Sequence, residues 1–276
     1  MIRGISSLTD YRFMSVAVIA VLLFLLFPAF TAQAATPISG TIPDGTVWDA
    51  VGSPYTVEAD ATVPAGATLV VESGVTVEFA ADTGLTVEGS LNVNGTESDP
   101  AVFTSLSATP GSWSGILFDS GSAESTLTHV HVSYAGAPCS GICRGGITIV
   151  TGPIDIISGR VHDSLTYGIV QYDGLVTVTG TEIDHQPYGF SLAHGTATLT
   201  DNIIHDNTYY GVNANAWEGT LTLTDNTFTA NASAAARING GVDLVSASSN
   251  ESTGSARNGL LMYGFLSHDQ TWDADL

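Results

Sequence analysis

Apolar and polar residues alternate in short bursts along most of this chain. The early bursts are Leu69-Val-Val-Glu72, Val75-Thr-Val-Glu-Phe79, Leu85-Thr-Val-Glu88 and Leu91-Asn-Val-Asn94. Later ones are Val176-Thr-Val-Thr179, Ala197-Thr-Leu-Thr200 and Leu221-Thr-Leu-Thr224. A period of two puts successive side chains on opposite faces, so each burst predicts a half-buried strand rather than a helix. Pro64, Gly66, Gly74 and Gly89 punctuate the corners between them. Strands this short cannot bury a face alone and must stack on neighbours.

Overlaying the chain on itself supplies the stacking rule. Glycine followed by an apolar residue recurs at Gly146, Gly168, Gly189, Gly211 and Gly241, with steps of 22, 21, 22 and 30. Tyr167, Tyr188 and Tyr210 precede three of these glycines, and Val161, Ile183 and Ile204 lie seven, six and seven residues before those glycines. A fixed period near 20 predicts a solenoid. With coils about 4.8 Å apart, nine or ten coils between Tyr55 and Leu266 would form a rod of roughly 45 Å. A sandwich or propeller also uses short strands, but it does not repeat one polar strand face at these steps.

The first 34 residues read as a leader. Arg3 and Arg12 precede twelve apolar residues, 16–27, followed by Pro28 and Ala32-Gln33-Ala34. That stretch is shorter than the roughly 20 residues of a spanning helix, and small-x-small suits signal peptidase. Cleavage after Ala34 is expected; an uncleaved anchor is the alternative, since counting residues 13–30 lengthens the apolar run. The expected organisation is leader 1–34, linker or cap 35–54, solenoid 55–266, and 267–276 as a linker or the start of a further module. After export, Cys139 and Cys143 are expected to close a local disulfide. With His129 and His131 they also make four zinc-type ligands within fifteen residues, but an oxidised pair is not a ligand pair, so no metal is assigned.

The residues running from Tyr55-Thr-Val-Glu through Pro64-Ala-Gly66 to Leu69, then Gly74-Val-Thr-Val-Glu-Phe79, Trp113-Ser-Gly-Ile-Leu-Phe118 and Val132-Ser-Tyr-Ala-Gly136, resemble bacterial and archaeal secreted right-handed parallel β-helix repeat proteins of the pectin-lyase-like superfamily. The resemblance covers about residues 40–276. It implies an all-β fold, a right-handed single-stranded parallel β-helix. It leaves activity open, because that fold carries lyases, hydrolases, epimerases, phage tailspikes and non-catalytic surface modules. Adjacent aspartates, Gly-His-Gly and Asp-Pro-His, which mark its enzymes, do not occur, and Arg237-Ile-Asn239 only half matches the Arg-Ile-Lys of polygalacturonases. Thr46-Val-Trp-Asp-Ala50 recurs as Thr271-Trp-Asp-Ala274, so the chain is expected to be one module of a longer protein.

Charge narrows the partners. Twenty-seven acidic residues oppose six basic ones, all arginine, for a net charge of −21. Such a surface repels nucleic acid, and it repels acidic polysaccharide unless calcium bridges the two. Calcium is the one cofactor left open. The repeat register brings His162-Asp163, Asp184-His185 and His205-Asp206 to matching places on three coils. They are either acid–base or metal-binding pairs or polar residues closing a strand. Tyr172, Tyr209, Tyr210 and Trp217 are candidates for stacking on sugars, while the tyrosine before each glycine is expected to pack along a coil corner. Outward Thr-x-Thr rows also raise ice binding, though the array fades in flanking coils. The expected role is a secreted or cell-surface scaffold for adhesion or carbohydrate binding without catalysis, contacting extracellular glycans or cell-surface components. The chain would meet a membrane only through its leader, and its rod ends would be open to self-association. A polysaccharide lyase or glycoside hydrolase is the rival.

Overall fold

The structure, a computed structural model, describes residues 34–140 and 142–265, apart from the side chains of Cys139 and Ser140. Residues 1–33 of the expected leader and the segment 267–276 therefore lie outside the described residues. The fold belongs to the unit Ala35–Leu276.

The chain winds as a parallel solenoid with three faces. One face is a sheet of nine strands, from Thr46–Trp48 through Leu175–Thr179, Thr196–Thr200 and Thr220–Thr224 to Asp243–Ser248. The other two faces share an 18-stranded network. We call the nine-stranded sheet the threonine face. The face containing Arg160–His162, Glu182–Asp184 and Ile203–His205 is the histidine face, and the face containing Tyr167–Gln171, Tyr188–Leu192 and Tyr210–Ala214 is the tyrosine face. Nine rungs at about 4.8 Å give a length of about 40 Å. The segment expected to be a linker or cap already carries strands: Thr36–Thr41 pairs in parallel with Tyr55–Val63, and Thr46–Trp48 with Thr68–Glu72.

Alternation does what the pattern requires. Val176, Val178, Ala197, Leu199, Leu221 and Leu223 point inward and are fully buried, while the threonines between them are half-exposed. The core is one continuous cluster along the rod. Its largest members include Phe79, Phe103, Phe118, Phe190 and Phe228. Trp113 is wholly buried, stacks on Phe79 at 3.9 Å, and donates its indole N–H to the Ser133 carbonyl at 2.8 Å.

Corners are made by left-handed residues. Asp201, Asp225 and Ser249 turn the chain from the threonine to the histidine face with φ of 57, 56 and 56°, and Asp163, His185 and Asp206 turn it onward at 54, 60 and 52°. Short polar side chains tolerate this region best among non-glycine residues. A buried asparagine follows each turn in the later coils. Asn202, Asn226 and Asn250 form one ladder and Asn207 and Asn231 another, with the Asn202, Asn207 and Asn226 amides each donating to the asparagine one rung on at 2.9 Å.

The glycine column has a steric cause: a Cβ on Gly189 would lie 2.5 Å from the Gly211 carbonyl oxygen, and one on Gly211 2.6 Å from that of Ala235. Gly241 does not belong to this column. Tyr210 pairs with Ala234, so Ala235 occupies the equivalent place; Gly241 sits at another corner, where a Cβ would meet the Trp217 carbonyl at 2.4 Å. The 30-residue step joins two different features of the coil.

Candidate functional site

Two outward columns on the histidine face concentrate the ionisable groups. One runs His131, Arg160, Glu182, Ile203; the next runs Ser133, His162, Asp184, His205. Backbone pairing alone brings these residues together, because parallel register stacks like positions. The residues that follow, Asp163, His185 and Asp206, take the left-handed corner positions. The six sequence candidates thus split into three strand-end residues and three corner residues.

Asp184, His185, His205 and Asp206 are bound into one network through Arg160 and Glu182, and His162 and Asp163 form a separate pair. Asp184, buried to zero exposure, receives a bidentate pair from Arg160: Nε to Oδ1 at 3.1 Å and Nη2 to Oδ2 at 2.9 Å. His185 Nδ1 also bonds Asp184. Arg160 Nε lies 3.5 Å from Glu182 Oε2. His205 sits between two carboxylates, with Nε2 3.0 Å from Glu182 Oε1 and Nδ1 2.7 Å from Asp206 Oδ2. His162 Nδ1 is 2.7 Å from Asp163 Oδ2. The pairs are thus mostly between neighbours in sequence, and the links between rungs run through Arg160 and Glu182. Sequence reasoning did not single out either residue. The signal available was their shared 22-residue spacing, one column from the histidines.

Electrostatics follow from this packing. Burial alone would raise the Asp184 carboxyl, but hydrogen bonds from Arg160 and His185 outweigh it and hold the group below the usual value. Burial likewise opposes charge on His205, yet bonds to Asp206 and Glu182 prevail and raise it. His131 shifts the other way: burial lowers it, helped by His162 and Arg160. Beside the network, a groove of about 570 Å³ is lined by His129, His131, Arg160, Glu182, Asp201 and Ile203, among others.

The aromatic candidates separate into bound and free rings. Tyr167 stacks on Tyr188 at 5.1 Å, and Tyr188 leans on Tyr209 and Tyr210 at 5.3 and 6.1 Å. Arg237 lies 5.6 Å from the Tyr210 ring and 3.8 Å from the Tyr263 ring. The ring before each glycine therefore spends its face on neighbours along the corner. Tyr172 is anchored by its hydroxyl, which accepts from the Cys143 N–H at 2.7 Å and donates to the Cys143 carbonyl at 3.1 Å. Cys143 is disulfide-bonded and belongs to an antiparallel pair, Ala137–Ser140 with Ile142–Arg144, that leaves the coil. Trp217 is 78% exposed and Tyr209 48%. The two flank the strand Tyr210–Ala214 on either side.

A three-faced, single-chain stack of parallel coils with an apolar interior and corner-borne polar ladders defines the class: a right-handed parallel β-helix. Residues 73–256 match the family described as right handed beta helix region. The chain belongs to that family, and the pectin-lyase-like superfamily is consistent with it. No curated protein and no solved structure matches the chain.

Proposed function

We propose that the chain is an exported, non-catalytic scaffold module that works at a cell surface or in the extracellular space and binds glycans through its exposed aromatic rings. The observation that carries this reading is Trp217, an indole with 78% of its surface in solvent on a solenoid whose other tryptophans of known environment, Trp48 and Trp113, are buried. An indole left in water on a rigid rung is a platform for the apolar face of a sugar ring. Tyr209, 48% exposed at the other end of the same strand, is a second ring in contact with solvent. The ionisable network argues against catalysis: Arg160, Glu182, Asp184, His205 and Asp206 are bound to one another, and a general acid or base needs a group free to meet substrate.

The test is a glycan array probed with the exported chain, beside the Trp217→Ala and Tyr209→Ala variants. Binding that disappears in the Trp217 variant while the fold is retained supports the reading. Equal binding by all three refutes it. The groove beside His131 and Glu182 favours a second reading, a polysaccharide-active enzyme. Release of reducing ends or unsaturated products from neutral or uronic polysaccharides, with or without calcium, and loss of that release in Glu182→Gln, would establish it.

A further inference from the structure

We propose that Glu182, Asp184 and His205 form a site for a divalent transition metal of the zinc type. One oxygen or nitrogen from each lies within 4.8 Å of the others. In a tetrahedral site with metal–ligand bonds of about 2.1 Å, ligand atoms stand about 3.4 Å apart. His205 Nε2 and Glu182 Oε1, at 3.0 Å, are already inside that span, and the remaining closure falls on Asp184.

The histidine points to the metal most directly. Asp206 Oδ2 lies 2.7 Å from Nδ1; in the neutral imidazole that carboxylate keeps the proton on Nδ1, and the Nε2 lone pair then faces Glu182. A lone pair facing a carboxylate oxygen at 3.0 Å is repulsive unless a cation lies between them. A proton meets that need, and so does a metal. A carboxylate behind the ligating imidazole is also the outer arrangement that metal-bound histidines use. Asp184 gives Oδ1 to Arg160 and Oδ2 to Arg160 and His185, so a metal would share these oxygens with the guanidinium and compete with it for them. The local charge suits a cation: Asp163, Glu182, Asp184 and Asp206 supply four negative charges against the one of Arg160, leaving three when the imidazoles are neutral. The adjoining groove, which Glu182 lines, gives access from solvent. One nitrogen and two carboxylates select zinc or cobalt over calcium, which prefers six or more oxygens. The metal site does not depend on glycan binding.

Titration of the full chain with Zn²⁺ by calorimetry, and with Co²⁺ by visible absorption, tests it. The expected result is saturable binding of one ion per chain, with intense cobalt bands of a tetrahedral site. Asp206→Asn should weaken it roughly 10- to 100-fold, Glu182→Gln and His205→Gln by at least that much, and His194→Ala should change nothing. Arg160→Met removes the competing cation and should tighten binding. Absence of saturable binding overturns the proposal, and so does binding that survives His205→Gln or vanishes in His194→Ala. Should the His205 variant fold poorly, cobalt-induced broadening of imidazole signals in the unaltered chain decides: broadening at His205 supports the site, and broadening at His194 alone refutes it.

Discussion

Replacing Asn226 by alanine tests whether the asparagine ladder holds the coils together. The side chain is fully buried. Its Nδ2 donates to the Leu199 carbonyl at 2.8 Å and to Asn250 Oδ1 at 2.9 Å, and its Oδ1 accepts from the Asn202 backbone N–H at 3.0 Å and from Asn202 Nδ2 at 2.9 Å. Two of the four partners keep another bond: Asn202 Nδ2 still reaches the Val178 carbonyl, and Asn250 Oδ1 still accepts from the Asn226 N–H. The Asn202 N–H depends on Asn226 Oδ1 and is left buried without it. An orphaned buried donor costs about 1–3 kcal/mol, and the space left by the amide adds to that. The expected loss is therefore about 3 kcal/mol. Asn226→Asp preserves the acceptor but discards both donors and buries a charge, so its loss should be larger at neutral pH and shrink as the carboxyl protonates. Urea unfolding followed by circular dichroism measures the loss. Native-state hydrogen exchange localises it, because a solenoid can open from one end. The Asn202 amide should lose protection first, while Thr198→Ala, on the half-exposed face, should stay within about 0.5 kcal/mol of the parent. If Asn226→Ala costs no more than Thr198→Ala, the ladder contributes nothing and the coils are held by their apolar interior alone.

Trp113→Ala should lower stability by about 3–5 kcal/mol, since it empties a fully buried site, removes the stack on Phe79 and orphans the Ser133 carbonyl contact; a chemical denaturation midpoint near that of the parent would contradict this. Gly189→Ala should destabilise although alanine suits a strand no worse, because its methyl would collide with the Gly211 carbonyl at 2.5 Å; an unchanged melting temperature would remove steric contact as the cause of the column. His131 is lowered by burial and by its positive neighbours, so the unfolded chain takes up a proton near pH 6.5 while the folded chain does not. By linkage its contribution is present above that pH and is lost as pH falls through the window below about 6.5. The parent should therefore lose more stability than His131→Gln between about pH 7.5 and 5, and parallel pH profiles would refute the assignment. Trp217→Ala should leave the unfolding midpoint unchanged, since the exposed indole stabilises nothing it would leave behind, and a large drop would mean the ring is structural.

Alternation, the glycine spacing and the corner residues make the coils legible in the sequence, because each is a local consequence of geometry repeated at every rung. A strand of period two must put one face inward, and a backbone passing within 2.5–2.7 Å of a would-be Cβ admits glycine alone. The same spacing aligned His162, Asp184 and His205 correctly. It failed where the coil length changed: the rung after Gly211 needs 24 residues and carries Ala235, so a chain read by its glycines jumped to Gly241. Composition could not reveal which polar residues bond one another. Arg160 reaches Asp184 across a rung, Glu182 bridges Arg160 to His205, and Asn226 spans two neighbours. Each of these depends on which residues stack in register and which way their side chains turn. Exposure was equally hidden: Tyr210 and Trp217 look alike as candidates in the sequence, yet one ring is packed against Tyr188 and Arg237 while the other faces water. Repetition along the chain determines the solenoid; the pairing of side chains between coils, which decides what the surface can bind, exists only once the coils are stacked.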